Sequence, residues 1–142
     1  ITGYTHLQIR YMATDSGTGG GNWYMQFNGD TTANYSSHYL RGNGTAASAV
    51  SNSGAGGTEM NVGTFYQGTS VYGSFVMDIL DYANTSKYKT HRTLGGGDAN
   101  GAGYITLASG NWRSTNAVTS IKLYTGNTIS QYSSFALYGV KA

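Results

Sequence analysis

The chain has 142 residues, including 22 Gly and 13 Tyr but no Pro and no Cys, and only 10% of its residues are charged. This length fits one domain with a substantial core, and the excess of Ser, Thr, Asn and Tyr over good helix formers favours strands and turns. The lack of Cys excludes disulfides and thiolate metal sites. A net charge of +2 and the lack of a long apolar run give no reason to expect a nucleic-acid or membrane partner. Basic residues cluster only at Lys87, Lys89 and Arg92, which we interpret as a solvated strand face.

The first predicted strand covers residues 6–12. Its side chains alternate, so that Leu7, Ile9 and Tyr11 share the face expected to be buried. Residues 15–22 follow with three consecutive glycines, and we expect a loop there because glycine weakens a strand.

Two further strands are predicted before the middle of the chain. Residues 23–27 alternate again, and residues 35–41 form a short strand after an Asn-Gly turn signal. Residues 42–58 are rich in Gly, Ala and Ser, which predicts a long surface loop with one short strand near residues 49–50. The sheet is expected to resume at residues 60–62.

The most apolar run spans residues 71–82, where both strand faces carry apolar side chains. We interpret it as a central strand covered on both faces, with a helix over residues 76–82 as the alternative. A turn at residues 83–86 and a strand at residues 88–94 would complete a hairpin. Residues 95–101 are predicted to form a second flexible loop.

Three more strands are predicted at residues 104–108, 118–124 and 134–140. Eight or nine short strands separated by turn signals indicate an all-β, antiparallel two-sheet sandwich of jelly-roll type. Residues 1–142 are expected to form this single domain.

The titratable residues do not indicate a reactive centre. Asp78 and Asp81 are the closest pair of acids, but their spacing on a strand would direct them to opposite faces, unlike a glycosidase pair. Asp15, Asp30 and Asp98 are predicted to lie at turns, where Asp bonds nearby backbone, and the calcium-loop pattern from Asp98 lacks its downstream Glu. No metal-ligand spacing joins the histidines, which are His6, His38 and His91. We therefore expect no catalytic, cofactor-binding or metal-binding residues.

Tyrosine is the strongest compositional oddity. Tyr and Trp among Gly, Ser and Asn suit adaptable surfaces that contact proteins or sugars, although tyrosine also suits half-buried strands. The candidates for surface contact are Tyr24, Tyr35, Tyr66, Tyr124, Tyr132 and Trp112.

Several segments resemble, in order, virion structural proteins of environmental tailed bacteriophages. These segments are GYTHLQIR at 3–10, MQFNGD at 25–30, NYSSHYLRGNG at 34–44, DILDYANTSK at 78–87, residues 90–94, SGNWRST at 109–115, residues 118–121 and SFALYGV at 134–140. The resemblance implies a non-enzymatic β-sandwich module of a tail fibre, appendage or capsid decoration on the virion surface. It also implies that the module ends a longer chain.

The resemblance implies partners as well: other copies of the chain, as a trimer, and other virion proteins. Symmetric packing of many copies would bury tyrosine-rich sheet faces. The alternatives are a carbohydrate-binding or receptor-binding module that stacks host glycans on Tyr and Trp, a β-sandwich glycan hydrolase and a filament subunit.

Overall fold

The computed structural model describes residues 2–68 and 70–142, with the backbone alone at 52–55. These residues form ten strands: β1 (His6–Ala13), β2 (Gly19–Phe27), β3 (Tyr35–Gly42), β4 (Ala47–Gly57), β5 (Met60–Gln67), β6 (Gly73–Leu80), β7 (Lys89–Asp98), β8 (Gly103–Trp112), β9 (Ile121–Tyr124) and β10 (Ser134–Val140). The described residues form no helix that is long and apolar enough to cross a membrane.

The strands form two antiparallel sheets of unequal size. The larger sheet has the order β10-β1-β6-β7-β8-β3-β4, and the smaller has the order β5-β2-β9. The predicted all-β two-sheet sandwich is confirmed, with slightly more strands than expected. Because three strands face seven, most of the apolar core lies between the small sheet and the middle of the large one.

Side-chain alternation places the core as predicted in β1 and β2. Leu7, Ile9 and Tyr11 are buried, and Trp23 packs against the Tyr11 ring at a centroid distance of 5.3 Å. The remaining buried cluster includes Met25 and Phe27 of β2, Met60, Val62 and Phe65 of β5, and Phe75, Met77 and Ile79 of β6.

The predicted long loop over residues 42–58 is wrong, although the short strand predicted near residues 49–50 lies within the strand that replaces it. Strand β4 occupies Ala47–Gly57 and pairs with β3 at the edge of the large sheet, with Leu40 opposite Ala49. Its sequence shows no apolar alternation and the side chains of residues 47–51 are not buried, so backbone pairing with β3 sets its extended state.

The other two glycine-rich segments are also shorter as loops than predicted. Strand β2 already begins at Gly19, which pairs with Gln67 of β5. Strand β7 continues to Asp98, which pairs with Gly103 of β8, so that only residues 99–102 form the turn. In both places a paired neighbour supplies the hydrogen bonds that the glycines cannot secure by themselves.

The run at residues 71–82 contains strand β6, and the helix alternative is wrong. The predicted hairpin is confirmed, because β6 pairs with β7 and places Ile79 opposite His91. The prediction that both faces are covered is wrong: Met77 and Ile79 are buried, whereas Leu80 on the other face is exposed.

Lys89 is buried and does not belong to a solvated strand face, which corrects the prediction for the basic cluster. Its Nζ donates hydrogen bonds to the carbonyls of Lys87 (2.9 Å) and Thr115 (3.2 Å). Burial lowers the pKa of the Lys89 ammonium. This cation therefore ties the start of β7 to the segment that follows β8.

Candidate functional site

The predicted surface residues separate into exposed, half-buried and buried groups. Tyr132 is 82% exposed, in a turn before β10. Tyr24, Tyr66 and Tyr124 are half-buried. Tyr35 and Trp112 are buried, so their assignment to the surface is wrong.

Tyr35 is buried because its hydroxyl has partners inside the protein. The hydroxyl oxygen accepts from the Phe27 backbone N–H (3.1 Å), and the hydroxyl group is within donor range of the carbonyls of Phe27 (3.2 Å) and Asp30 (3.0 Å). Burial of the tyrosine ring stabilises the fold, and because the hydroxyl has hydrogen-bond partners, this burial does not carry the cost of an unpaired polar group. The ring therefore anchors the turn after β2.

Trp112 is buried for a similar reason. Its Nε1 donates to Asp30 Oδ2 at 2.7 Å, and its ring packs edge-on against Phe27. Partial burial would raise the pKa of Asp30, but hydrogen bonds from Thr32, Trp112 and Asn34 outweigh it and hold that pKa well below its ordinary value. This carboxylate connects the turn after β2 to the end of β8.

The large sheet carries an exposed apolar surface on its outer face, defined as the face directed away from the small sheet. Val76, Leu94, Leu107 and Leu40 align across β6, β7, β8 and β3, because the register pairs Val76 with Leu94, Leu94 with Leu107, and Leu107 with Leu40. We call these four residues the aliphatic row. Leu94 is 50% exposed, Leu107 46% and Leu40 57%.

Two shallow grooves flank the Leu40 and Leu107 side chains of the aliphatic row. One, of about 550 Å³, lies toward His38 and Arg92. The other, of about 520 Å³, lies toward Ile105. Ala49 lines both grooves, and its small side chain lets them run out over β4. The outer face is therefore a ridge of leucines between two depressions.

A polar network runs beside the aliphatic row. Gln8 Nε2 donates to Asp78 Oδ1 (2.8 Å), and Arg92 donates to Asp78 Oδ2 (2.9 Å). Arg10 donates to Gln8 Oε1 (2.8 Å). The hydrogen bonds from Gln8 and then Arg92 lower the pKa of Asp78, so its charge is held within the face at neutral pH.

Sequence reasoning missed this outer face. In β8 the polar Thr106 and small Ala108 are buried, while Ile105 and Leu107 point outward. Hydrophobicity alone would assign the opposite orientation. The available signal was the presence of apolar residues on both faces of neighbouring strands, which indicates an exposed patch as well as a central position.

Two of the predicted tyrosines meet on the small sheet, on its face away from the core. Tyr24 of β2 lies opposite Tyr124 of β9, with ring centroids 5.8 Å apart. The Tyr124 hydroxyl donates to the Glu59 carboxylate, and Lys122 Nζ lies 4.4 Å from the centre of the Tyr124 ring. Burial and then the bond to Glu59 raise the pKa of Tyr124.

The predicted turn-capping aspartates are confirmed. Asp15 Oδ1 accepts from the Gly17 N–H (3.0 Å), Asp30 Oδ1 from the Thr32 N–H (2.9 Å) and Asp98 Oδ1 from the Gly101 N–H (3.0 Å). Within residues 2–68 and 70–142, no group of three or more His, Cys, Asp or Glu side chains is arranged to hold a metal ion.

No family model matches the chain, and no curated protein matches it. The resemblance to bacteriophage virion proteins therefore stays a prediction. The chemistry of the outer face and of the paired tyrosines carries the functional interpretation.

Proposed function

We propose that the chain is a non-enzymatic structural module on the surface of a bacteriophage particle, in a tail fibre, an appendage or a capsid decoration. The aliphatic row is the observation that carries the proposal. Contiguous exposed apolar patches are uncommon on monomeric soluble proteins and mark contacts with other macromolecules.

The composition supports the same role. An antiparallel sandwich holds most of its backbone in hydrogen-bonded strands and so offers little of it to proteases, which suits a protein carried outside a cell. The aliphatic row places four uncharged side chains side by side, and charged residues are likewise depleted in the centre of protein interfaces. The order of the resembling segments along the chain adds the expectation that the neighbours are virion proteins.

Labelling of purified particles tests the proposal. An antibody raised against the folded chain should mark virions from a sample that encodes this sequence, at the tail or on the capsid, in electron micrographs. Peptides of the chain should co-purify with those particles. Labelling confined to cells or to free protein, with unlabelled virions, would contradict a virion role.

The paired tyrosines favour carbohydrate binding as a second candidate function. Aromatic rings on an otherwise polar sheet face suit sugars, which present apolar C–H faces and hydroxyls together. Tyr24 and Tyr124 supply the rings, and Glu59 and Lys122 supply charged groups beside them. A module on a virion surface would then contact host glycans through its small sheet.

A glycan array with matched variants tests this second function. The wild-type chain should retain a defined glycan, and Tyr24→Ala should lose at least about tenfold in affinity, the loss expected when one stacking ring is removed. Tyr88→Ala, which removes an exposed tyrosine that is outside the pair and is not a candidate for surface contact, should bind as the wild type does. Failure of the wild type to retain any glycan would argue against it.

A further inference from the structure

We infer that the partner of the outer face is a second copy of this chain, with the two aliphatic rows packed against each other as a two-fold pair, in contrast to the trimer that the resemblance implies. That this contact occurs in a phage particle rests on the proposed function, whereas the contact between two copies depends only on the outer face. Three properties of that face favour a second copy as the partner: its area, its surface shape and its charge.

The area is sufficient for a specific contact. Seven strands about 4.8 Å apart, each with three outward residues about 6.8 Å apart, give a face of roughly 34 Å by 20 Å. Two such faces in complete overlap would bury at most about 1,400 Å² together, which reaches the roughly 1,200–2,000 Å² of specific interfaces. Stacked sheets pack about 10 Å apart when side chains interdigitate, and the aliphatic row can supply that interdigitation.

The surface shape of the face is complementary to that of a second copy. Leu40 and Leu107 stand between grooves of about 550 and 520 Å³. Each groove is far larger than one leucine side chain, and its apolar walls suit an aliphatic ridge. The chain carries such a ridge with the spacing of its own strands, so that the leucines of one copy can occupy a groove of the other.

The charge of the face permits the contact. Asp78 is neutralised within the face by Arg92 at 2.9 Å, whereas Arg10 keeps its charge: it donates to the neutral Gln8 side chain and lies 5.4 Å from the ring of Tyr138, beside Val76 at one end of the aliphatic row. The four residues of the aliphatic row are uncharged, so Arg10 at its end is the main source of like-charge repulsion between two copies. A strongly acidic or basic partner would find few unpaired charges of opposite sign on the aliphatic row.

Self-association of the wild-type chain and three variants tests the inference. Leu107→Lys and Leu40→Lys place an ammonium in the centre of the contact, whereas Tyr132→Lys makes a comparable change at an exposed tyrosine outside it. Analytical ultracentrifugation from 1 to about 200 µM gives the dissociation constants in the range where proteins of this interface size associate. Circular dichroism of each variant confirms that it is folded.

The wild type and Tyr132→Lys should self-associate, and each leucine variant should weaken association by about 30-fold or more, as expected at a central interface residue. A wild type that stays monomeric, or an oligomer unchanged by both folded leucine variants, would overturn the inference. Virion labelling together with a monomeric chain would leave the proposed function standing. Self-association without virion labelling would do the reverse.

Discussion

The imidazole of His91 is enclosed in the core, where a charge cannot be solvated. Its Nδ1 lies 3.3 Å from Thr93 Oγ1, and Nε2 has no hydrogen-bond partner among the described residues. The ring occupies space above Gly110, where a Cβ would lie 2.4 Å from Nε2. Burial lowers the pKa of His91 to about 3.

This depressed pKa predicts loss of stability in mild acid. The unfolded chain binds the proton with a pKa near 6.5, whereas the folded chain resists it down to about 3. Protonation of His91 in the unfolded chain therefore does not reduce the free energy of unfolding above pH 6.5. Below that pH the free energy of unfolding falls, by up to about 1.4 kcal/mol per pH unit. Urea unfolding at several pH values between 7.5 and 4.5 measures this slope.

Replacement of the histidine isolates its contribution. His91→Gln should flatten the slope between pH 6.5 and 4.5, whatever its effect on stability at neutral pH, because Gln does not titrate. His38→Gln, which makes the same replacement at an exposed histidine, is the matched control for the chemistry of the substitution. An unchanged slope in His91→Gln would show that other groups cause the acid sensitivity.

Pairs of strands fit together where an aromatic ring lies over a glycine. The Phe75 ring of β6 stacks on Tyr11 at 4.8 Å and occupies a space bounded by Gly63, Gly73 and Gly95. A Cβ on Gly95, directly opposite Phe75 on β7, would lie 2.1 Å from the ring. Several of the 22 glycines are therefore needed for packing as well as for turns.

Gly95→Ala should accordingly destabilise the protein by about 1–3 kcal/mol or more, the range for overpacked cores, because the added methyl also meets the Ser74 carbonyl at 2.6 Å. Gly126→Ala is the matched control, since nothing lies within 4 Å of its Cβ position. Urea midpoints of both variants provide the comparison. Equal stability of the two would show that the Phe75 ring can move away at little cost.

Elements with regular alternation were predictable, and elements held by their neighbours were not. In β1, Leu7, Ile9 and Tyr11 define the buried face by themselves. The sequence of β4 has no regular apolar alternation, so the information lies in the edge of β3, which no local pattern shows. The same holds for the glycines of β2 and β7, which extend because a partner strand is present.

The residues of the candidate site also include some that the sequence predicts and some that it does not. Sequence reasoning found Tyr24 and Tyr124, because strand period places both on the solvated face, but not that they are adjacent across β2 and β9. It misplaced Tyr35 and Trp112, since their hydrogen bonds with the turn at Asp30 depend on contacts 5 and 82 residues away along the chain. The aliphatic row was missed because exposure of Leu94 and Leu107 depends on which face the small sheet covers.

At the scale of the whole molecule, most strand contacts join distant parts of the chain. Strand β1 pairs with β10 near the other end, and β3 pairs with β8. Tyr11 lies between the rings of Phe75 at 4.8 Å and Phe135 at 5.6 Å, so three separate strands must meet to complete this stack. A fold dominated by such non-local pairs closes long loops before it gains contacts, which slows folding.

Refolding should therefore be slow for a domain of this size but free of the slowest common phase. All-β domains fold in about milliseconds to seconds, and proline isomerisation adds phases of about 10–100 s. The chain has no proline, and other peptide bonds are almost never cis.

Stopped-flow fluorescence at low protein concentration should show phases complete within a few seconds, reported by Trp23 and Trp112, which are both buried. In double-jump experiments the amplitudes should not depend on the time spent unfolded. A phase of tens of seconds that grows with that time would require an isomerisation in the unfolded chain, and a rate that rises with protein concentration would instead place assembly within folding.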